Sequence, residues 1–269
     1  LYTMKKNLLK IASLFILALI VTLSACKKDD ADSQSAEDVA LGGHFMNDAF
    51  ALANDANGNG KAFLTGFSEE CYEIVIYEGG FDITFNQCTG DDGIYRDGTL
   101  RVTAAPEAWD PATASTGITI EYIDFTHNEF FIEGNVTALV GIGNILGNAI
   151  DYLYFTLKTT FLQVTHPNGD ISKLNSGEYN YVIKLTGIEY FGNSDGVTRT
   201  GIAFTSETND VEYGTYQSPC PWPTSGTTTI TIEGENQIVI EYDQDNDGSC
   251  DNIFLVTQKR HKDVKMTFE

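Results

Sequence analysis

Asp243, Asp245 and Asp247 stand two residues apart, followed by Gly248, Ser249 and then Asp251. Carboxylates at that spacing on a tight loop converge on one point, and calcium takes roughly six to eight hard oxygens. Asp243, Asp245, Asp247, the Ser249 carbonyl and Asp251 would supply part of such a shell. The bidentate glutamate that closes a helix-loop-helix calcium site would fall at position 254, which is Phe254, so that motif is excluded. The competing reading is a hairpin. Tyr242 ends one strand pattern, Ile253 starts the next, and Asn246-Asp247-Gly248 is favourable turn chemistry by itself. The balance favours the turn, with calcium as the alternative. A second acidic stretch, Asp55 to Gly60, has too few carboxylates.

Other side chains suggest binding more than catalysis. Trp109 lies between Pro106 and Pro111, and Trp222 between Pro221 and Pro223. Such tryptophans either present a flat apolar face to a sugar ring or lid the end of a β core. His44, His127, His166 and His261 are scattered, with no paired spacing for zinc. No nucleophile elbow, phosphate loop or dinucleotide fingerprint is present. Carboxylates are so numerous that choosing a pair for glycoside hydrolysis has no basis. No catalytic residue is assigned. Lys259, Arg260, His261 and Lys262 read as a solvated turn before a last strand at 264 to 268, with anionic headgroups as an alternative contact.

The elements that position these residues begin with a leader. Met4 is the first methionine, and Leu1 to Thr3 read as an upstream remnant. Lys5, Lys6 and Lys10 precede an apolar run from Ile11 to Leu23, then Ser24 and Ala25 before Cys26. That run is shorter than the ~20 residues a membrane span needs, so residues 1–25 read as a secretory signal. Leu23-Ser24-Ala25-Cys26 resembles the bacterial lipobox, which implies cleavage before Cys26 and acylation of it. Several acyl chains on one residue suffice for stable anchoring. Lys27-Lys28-Asp29-Asp30-Ala31-Asp32 resembles the tag that sends Bacteroidetes-type lipoproteins to the exterior face of the outer membrane. Residues 26–43 read as lipidated cysteine and flexible tether.

The formal charge of −22 repels nucleic acid, whose recognition rests on Lys and Arg displacing phosphate counterions. It attracts cations. A hydrophobic fraction of 42% supports a buried core and excludes disorder. Beyond Cys26 remain Cys71, Cys88, Cys220 and Cys250. In an exported chain they suggest disulfides, with three pairings open and free thiols as the alternative. Pairing Cys71 with Cys88 and Cys220 with Cys250 closes the shortest loops.

From Phe45 to Ala53 the apolar spacing predicts one short amphipathic helix, begun or broken at Gly42-Gly43. Thereafter a period of two recurs: Phe81-Ile83-Phe85, Leu100-Val102, Ile118-Ile120-Tyr122, Leu153-Phe155-Leu157, Tyr179-Tyr181-Ile183-Leu185, Ile230-Ile232 and Ile238-Ile240-Tyr242. Turn signals punctuate it at Gly79-Gly80, Asp92-Gly93, Asp97-Gly98, Pro167 to Asp170, Asn175 to Gly177 and Asp247-Gly248. All six prolines fall in predicted loops. One-sided alternation with short turns predicts an all-β fold: a long antiparallel meander, curved or sandwiched, after a short N-terminal helix. Residues 44–269 read as a single ectodomain. The strand, acidic turn, strand order of 81 to 103 recurs at 236 to 257, which hints at two similar halves.

The segment Cys88-Thr89-Gly90-Asp91-Asp92-Gly93-Ile94-Tyr95-Arg96-Asp97-Gly98 resembles the C-x-G-x-D-G-x-x-R-x-G stretch of an uncharacterised family of Bacteroidetes-type lipoproteins. Cys220-Pro221 through Thr224-Ser225-Gly226 to Cys250-Asp251-Asn252 is similar to the same family's later segment. The acidic loop also resembles the aspartate loops of thrombospondin type-3-like repeats, present here in one copy. These resemblances imply a β lipoprotein and no catalytic residue. The expectation is a membrane-anchored, exterior-facing protein that binds a ligand or braces the envelope, with a glycan-binding or polysaccharide-processing accessory role as alternative.

Overall fold

A computed structural model describes residues 32–54, 56, 71–90, 93–105, 116–143, 152–184, 187–213, 223–242 and 253–267. Within them, one helix precedes an antiparallel sheet. Helix α1 spans Ser33–Asn54. The strands are β1 (Tyr72–Tyr77), β2 (Gly80–Thr89), β3 (Tyr95–Ala104), β4 (Thr116–His127), β5 (Phe130–Gly143), β6 (Tyr152–Thr159) and β7 (Leu162–Thr165). They continue as β8 (Ile171–Lys184), β9 (Gly187–Val197), β10 (Ala203–Tyr213), β11 (Pro223–Ile232), β12 (Ile238–Tyr242), β13 (Ile253–Gln258) and β14 (Val264–Thr267). Each pairs with its sequence neighbour, except that β8 pairs with β6 and the short β7 bridges β5 and β8. The fold is the expected all-β meander.

The helix explains why the sheet curls. Asp32 meets Gln258 at the end of β13, while Asp48 meets Arg96 at the start of β3. Nine strand steps separate β3 from β13, a path of about 43 Å in a flat sheet. The helix between Asp32 and Asp48 spans only about 24 Å. The sheet must therefore bend around α1, and it buries the helix on most sides: Ala36, Val39, Leu41, Phe45, Met46, Ala49 and Leu52 are all 3% exposed or less. Ser33, Glu37, Ala40, His44, Asn47, Phe50 and Ala51 are half-buried, and Gln34 and Asn54 near the two ends are exposed. A helix apolar on so many sides belongs inside a core.

That helix corrects the predicted tether and start. Residues 33–43, read as flexible, are helical, and Gly42-Gly43 lie within α1. The cause is local and tertiary together. Asp32 caps the helix, its Oδ1 accepting the Ser35 amide at 3.0 Å. Gly42 then lets the helix approach β8, since a Cβ there would lie 2.7 Å from Leu174 Cδ1. Two predicted turns are also corrected. Asp97-Gly98 lies within β3, and Asn175 to Gly177 within β8, each at a register shift. Gly98 holds φ +96°, and a Cβ there would strike the Asp124 carbonyl.

The inner face carries the predicted alternation. Ile83 and Phe85, Leu100 and Val102, Ile120 and Tyr122, Ile230 and Ile232, and Ile238 and Ile240 are buried. Phe50, Phe155, Tyr181 and Tyr190 stack in a column with successive centroids 4.6, 4.4 and 4.7 Å apart. Across β9 to β12 the wall turns polar: Ser194 bonds Ser206 at 2.7 Å, and Thr228 bonds Thr208 at 2.9 Å and Tyr242 at 3.1 Å. Burial pushes the Tyr242 hydroxyl up to about 12. Cys71 and Cys88 form a disulfide, as the shortest-loop pairing predicted, with Cα atoms 5.4 Å apart.

Candidate functional site

Two polar regions organise the described residues, one inside and one outside. The inner one lies where α1 crosses the strand ends. Arg96 of β3 grips Asp48 with two bonds, Nε to Oδ2 at 3.1 Å and Nη2 to Oδ1 at 2.6 Å. Burial alone would raise the Asp48 carboxyl, but Arg96 and then His127 outweigh it and hold it below 3.8. His127 Nε2 stands 3.6 Å from Asp48 Oδ2, which is beyond hydrogen-bond distance. Burial lowers this imidazole to about 3 against the pull of Asp48, so the contact is not an ion pair near neutral pH. The His44 and His127 rings meet edge to face at 5.5 Å. Tyr122 donates to the Phe45 carbonyl at 2.7 Å, and burial followed by Asp48 raises its hydroxyl.

A second set of pairs fixes the helix start. Arg199, in the β9–β10 turn, donates its backbone amide to Asp38 Oδ2 at 2.7 Å and its guanidinium to both Asp38 and Glu37. His166 Nε2 lies 2.9 Å from Ser172 Oγ and 3.3 Å from Asp38 Oδ1. These groups are sequestered under the helix and engaged with one another. They can hold α1 to the sheet.

The outer region is a shallow groove of about 570 Å³ across β8 to β11, closed at one side by Gln237 of the β11–β12 turn. Phe191, 42% exposed, projects from β9 among polar neighbours. Glu207 pairs across the strands with Asn193 on one side and Thr229 on the other. Two amides are pre-oriented: Thr156 donates to Asn180 Oδ1 at 2.9 Å, and Gln237 Nε2 donates to Thr231 Oγ1 at 3.3 Å. The arrangement can stack one ring and hydrogen-bond around it.

Of the sequence-predicted sites, Cys26, Trp109, Trp222, Cys220, Cys250 and the loop Asp243, Asp245, Asp247, Ser249 and Asp251 lie outside the described residues. Among the described residues no cluster of three His, Cys, Asp or Glu is arranged to hold a metal. The histidines, scattered in sequence, are partly gathered by the fold, His44 with His127 at Asp48 and His166 at Asp38. Sequence reasoning missed the Arg96–Asp48 pair, whose only hint was an arginine in the Cys88 to Gly98 segment. It also missed Phe191, because β9 has no apolar alternation. No helix among the described residues is long and apolar enough to cross a membrane. No protein-family model, curated protein or solved structure matches this chain.

Proposed function

We propose that this chain is a lipid-anchored, exported β protein of the outer membrane that binds or braces through its outer sheet face and performs no catalysis. The observation that carries the reading is the partition of polar groups. The buried carboxylates, arginines and histidines hold α1 in place, whereas the groove around Phe191 faces solvent with hydrogen-bonding side chains. The lipobox ending at Cys26 and the charged segment 27–32 support anchoring and exterior display. Protease shaving of intact cells making the full chain, with palmitate labelling, tests it. Loss of label in Cys26→Ala and cleavage of the exposed body are expected. A protected body sinks the exterior placement, and an unlabelled wild-type chain sinks the anchor.

A second reading takes the ligand to be a glycan, favoured by the exposed ring of Phe191 beside pre-oriented amides. β8 to β11 already have partners on both edges, so strand addition by a peptide is not open there. Electrophoresis of the full chain through gels containing xylan, galactomannan or dextran tests this. Retardation should vanish in Phe191→Ala. If Trp109→Ala and Trp222→Ala abolish it and Phe191→Ala does not, the ring platform lies in the loops; if nothing is retarded, the glycan reading fails.

A further inference from the structure

The chain outside the described residues ends in an informative place. Asp32 is pinned by its backbone amide to Gln258 Oε1 at 3.1 Å, and Gln258 is the last residue of β13. Six chain steps separate Cys26 from Asp32. Fully extended they reach about 20 Å. A cysteine held in a bilayer would therefore hold this end of the sheet close to the membrane surface.

That end carries the chain's longest basic run. Lys259, Arg260 and Lys262, all exposed, follow Gln258 in the β13–β14 turn. The β11–β12 turn beside it is tied in by Gln258 Nε2, which donates to the Asn236 carbonyl at 3.2 Å. At the same end, Ile171 opens β8 and Ile202 sits in the β9–β10 turn, exposed at 42% and 38%. In a chain of charge −22, a basic turn next to the anchor is the reverse of the surrounding surface.

We infer that the β13–β14 turn, with Lys259, Arg260 and Lys262, is a membrane-facing surface that binds the phosphate headgroups of the bilayer in which Cys26 is anchored. Cationic side chains beside anionic lipid gain electrostatic attraction within a Debye length, and apolar tips add interfacial contact. Glu233, Glu235 and Asp263 oppose the attraction, so three cations act against three nearby carboxylates. Two consequences follow for the body. It is held in one orientation, with the start of α1 and the β13–β14 turn toward the lipid, and the turn adds to the attachment that the acyl chains supply.

The inference rests on the anchored reading, and the test separates them. The chain from residue 26 onward carrying Cys26→Ala, which has neither acyl chains nor the apolar leader, is floated with vesicles of phosphatidylcholine alone or mixed with phosphatidylglycerol. Each surface Lys or Arg near anionic lipid is worth roughly fivefold in affinity. Flotation is expected only with the anionic vesicles, released by high salt, and weakened at least tenfold by Lys259→Gln, Arg260→Gln and Lys262→Gln together. Circular dichroism confirms that these exposed changes leave the fold intact. No flotation with anionic vesicles, or equal flotation of the triple variant, overturns the inference. An unlabelled Cys26 with flotation intact removes the anchor and leaves the surface standing.

Discussion

Asp48→Asn isolates what the buried pair contributes. The substitution conserves volume, so it opens no cavity, but it removes the Asp48 charge from beside an Arg96 guanidinium at 0% side-chain exposure. Breaking such a pair from one side costs about 3–5 kcal/mol, because the stranded charge stays desolvated. In a domain of this size 1 kcal/mol moves the midpoint by about 2–4 °C, so a loss on the order of 10 °C is expected. Removing both charges is different. Asp48→Leu with Arg96→Met replaces the pair by apolar side chains of similar length and should recover most of the stability, since desolvation and attraction nearly cancel in the intact pair. Urea unfolding followed by circular dichroism, run on wild type, Asp48→Leu, Arg96→Met and the double, closes the cycle, with Asp48→Asn measured beside it. A loss below about 1 kcal/mol for Asp48→Asn, or a double as unstable as the single, would refute the reasoning that this pair clamps α1 to β3.

Acid should weaken the fold through His127. Its ordinary value is 6.5 and burial lowers it to about 3, so between those limits the unfolded chain takes a proton that the folded one refuses. Stability then falls with pH by up to about 1.4 kcal/mol per unit. Asp48 acts in the same direction below its ordinary 3.8, and His44 and Arg96 are the other charged or titratable groups acting on the imidazole. His127→Gln should flatten the slope between pH 6 and 4; an unchanged slope assigns it elsewhere. Reducing the Cys71–Cys88 bond, which closes a separation of 17 residues, should cost about 3 kcal/mol. Cys71→Ser should reproduce that loss, and any further fall on reduction reports a Cys220–Cys250 bond. Calcium at 100 times its dissociation constant would add about 2.7 kcal/mol if Asp243 to Asp251 form a site. A rise in melting temperature absent from Asp245→Asn establishes the site, and no rise leaves a hairpin turn.

Legibility followed the physics of each element. Strands with apolar residues on the buried face, such as Phe81-Ile83-Phe85 and Ile238-Ile240-Tyr242, announce themselves by period two because one wall is dry. Strands β9 and β10 do not, since their inward positions include Gly192, Ser194, Gly196, Ser206 and Thr208. The serines bond each other and Thr208 bonds Thr228, so these positions present no apolar stripe. The helix was half legible. Its periodicity is weak because the sheet buries it on most sides, and its true start rests on Asp32 capping Ser35, in a stretch that reads as a polar spacer.

The leader pattern, the β class, the antiparallel order and the local disulfide belong to the sequence itself, because charge, apolar period and loop length are properties of neighbours along the chain. The joining of Asp48 with Arg96 and His127, the groove around Phe191, and the closeness of the Lys259 to Lys262 turn to Asp32 at the start of α1 were decided by tertiary structure. Each unites residues separated by tens to hundreds of positions. Only the curl of the sheet around α1 closes those distances, and no local pattern encodes a contact whose partners meet through that curvature.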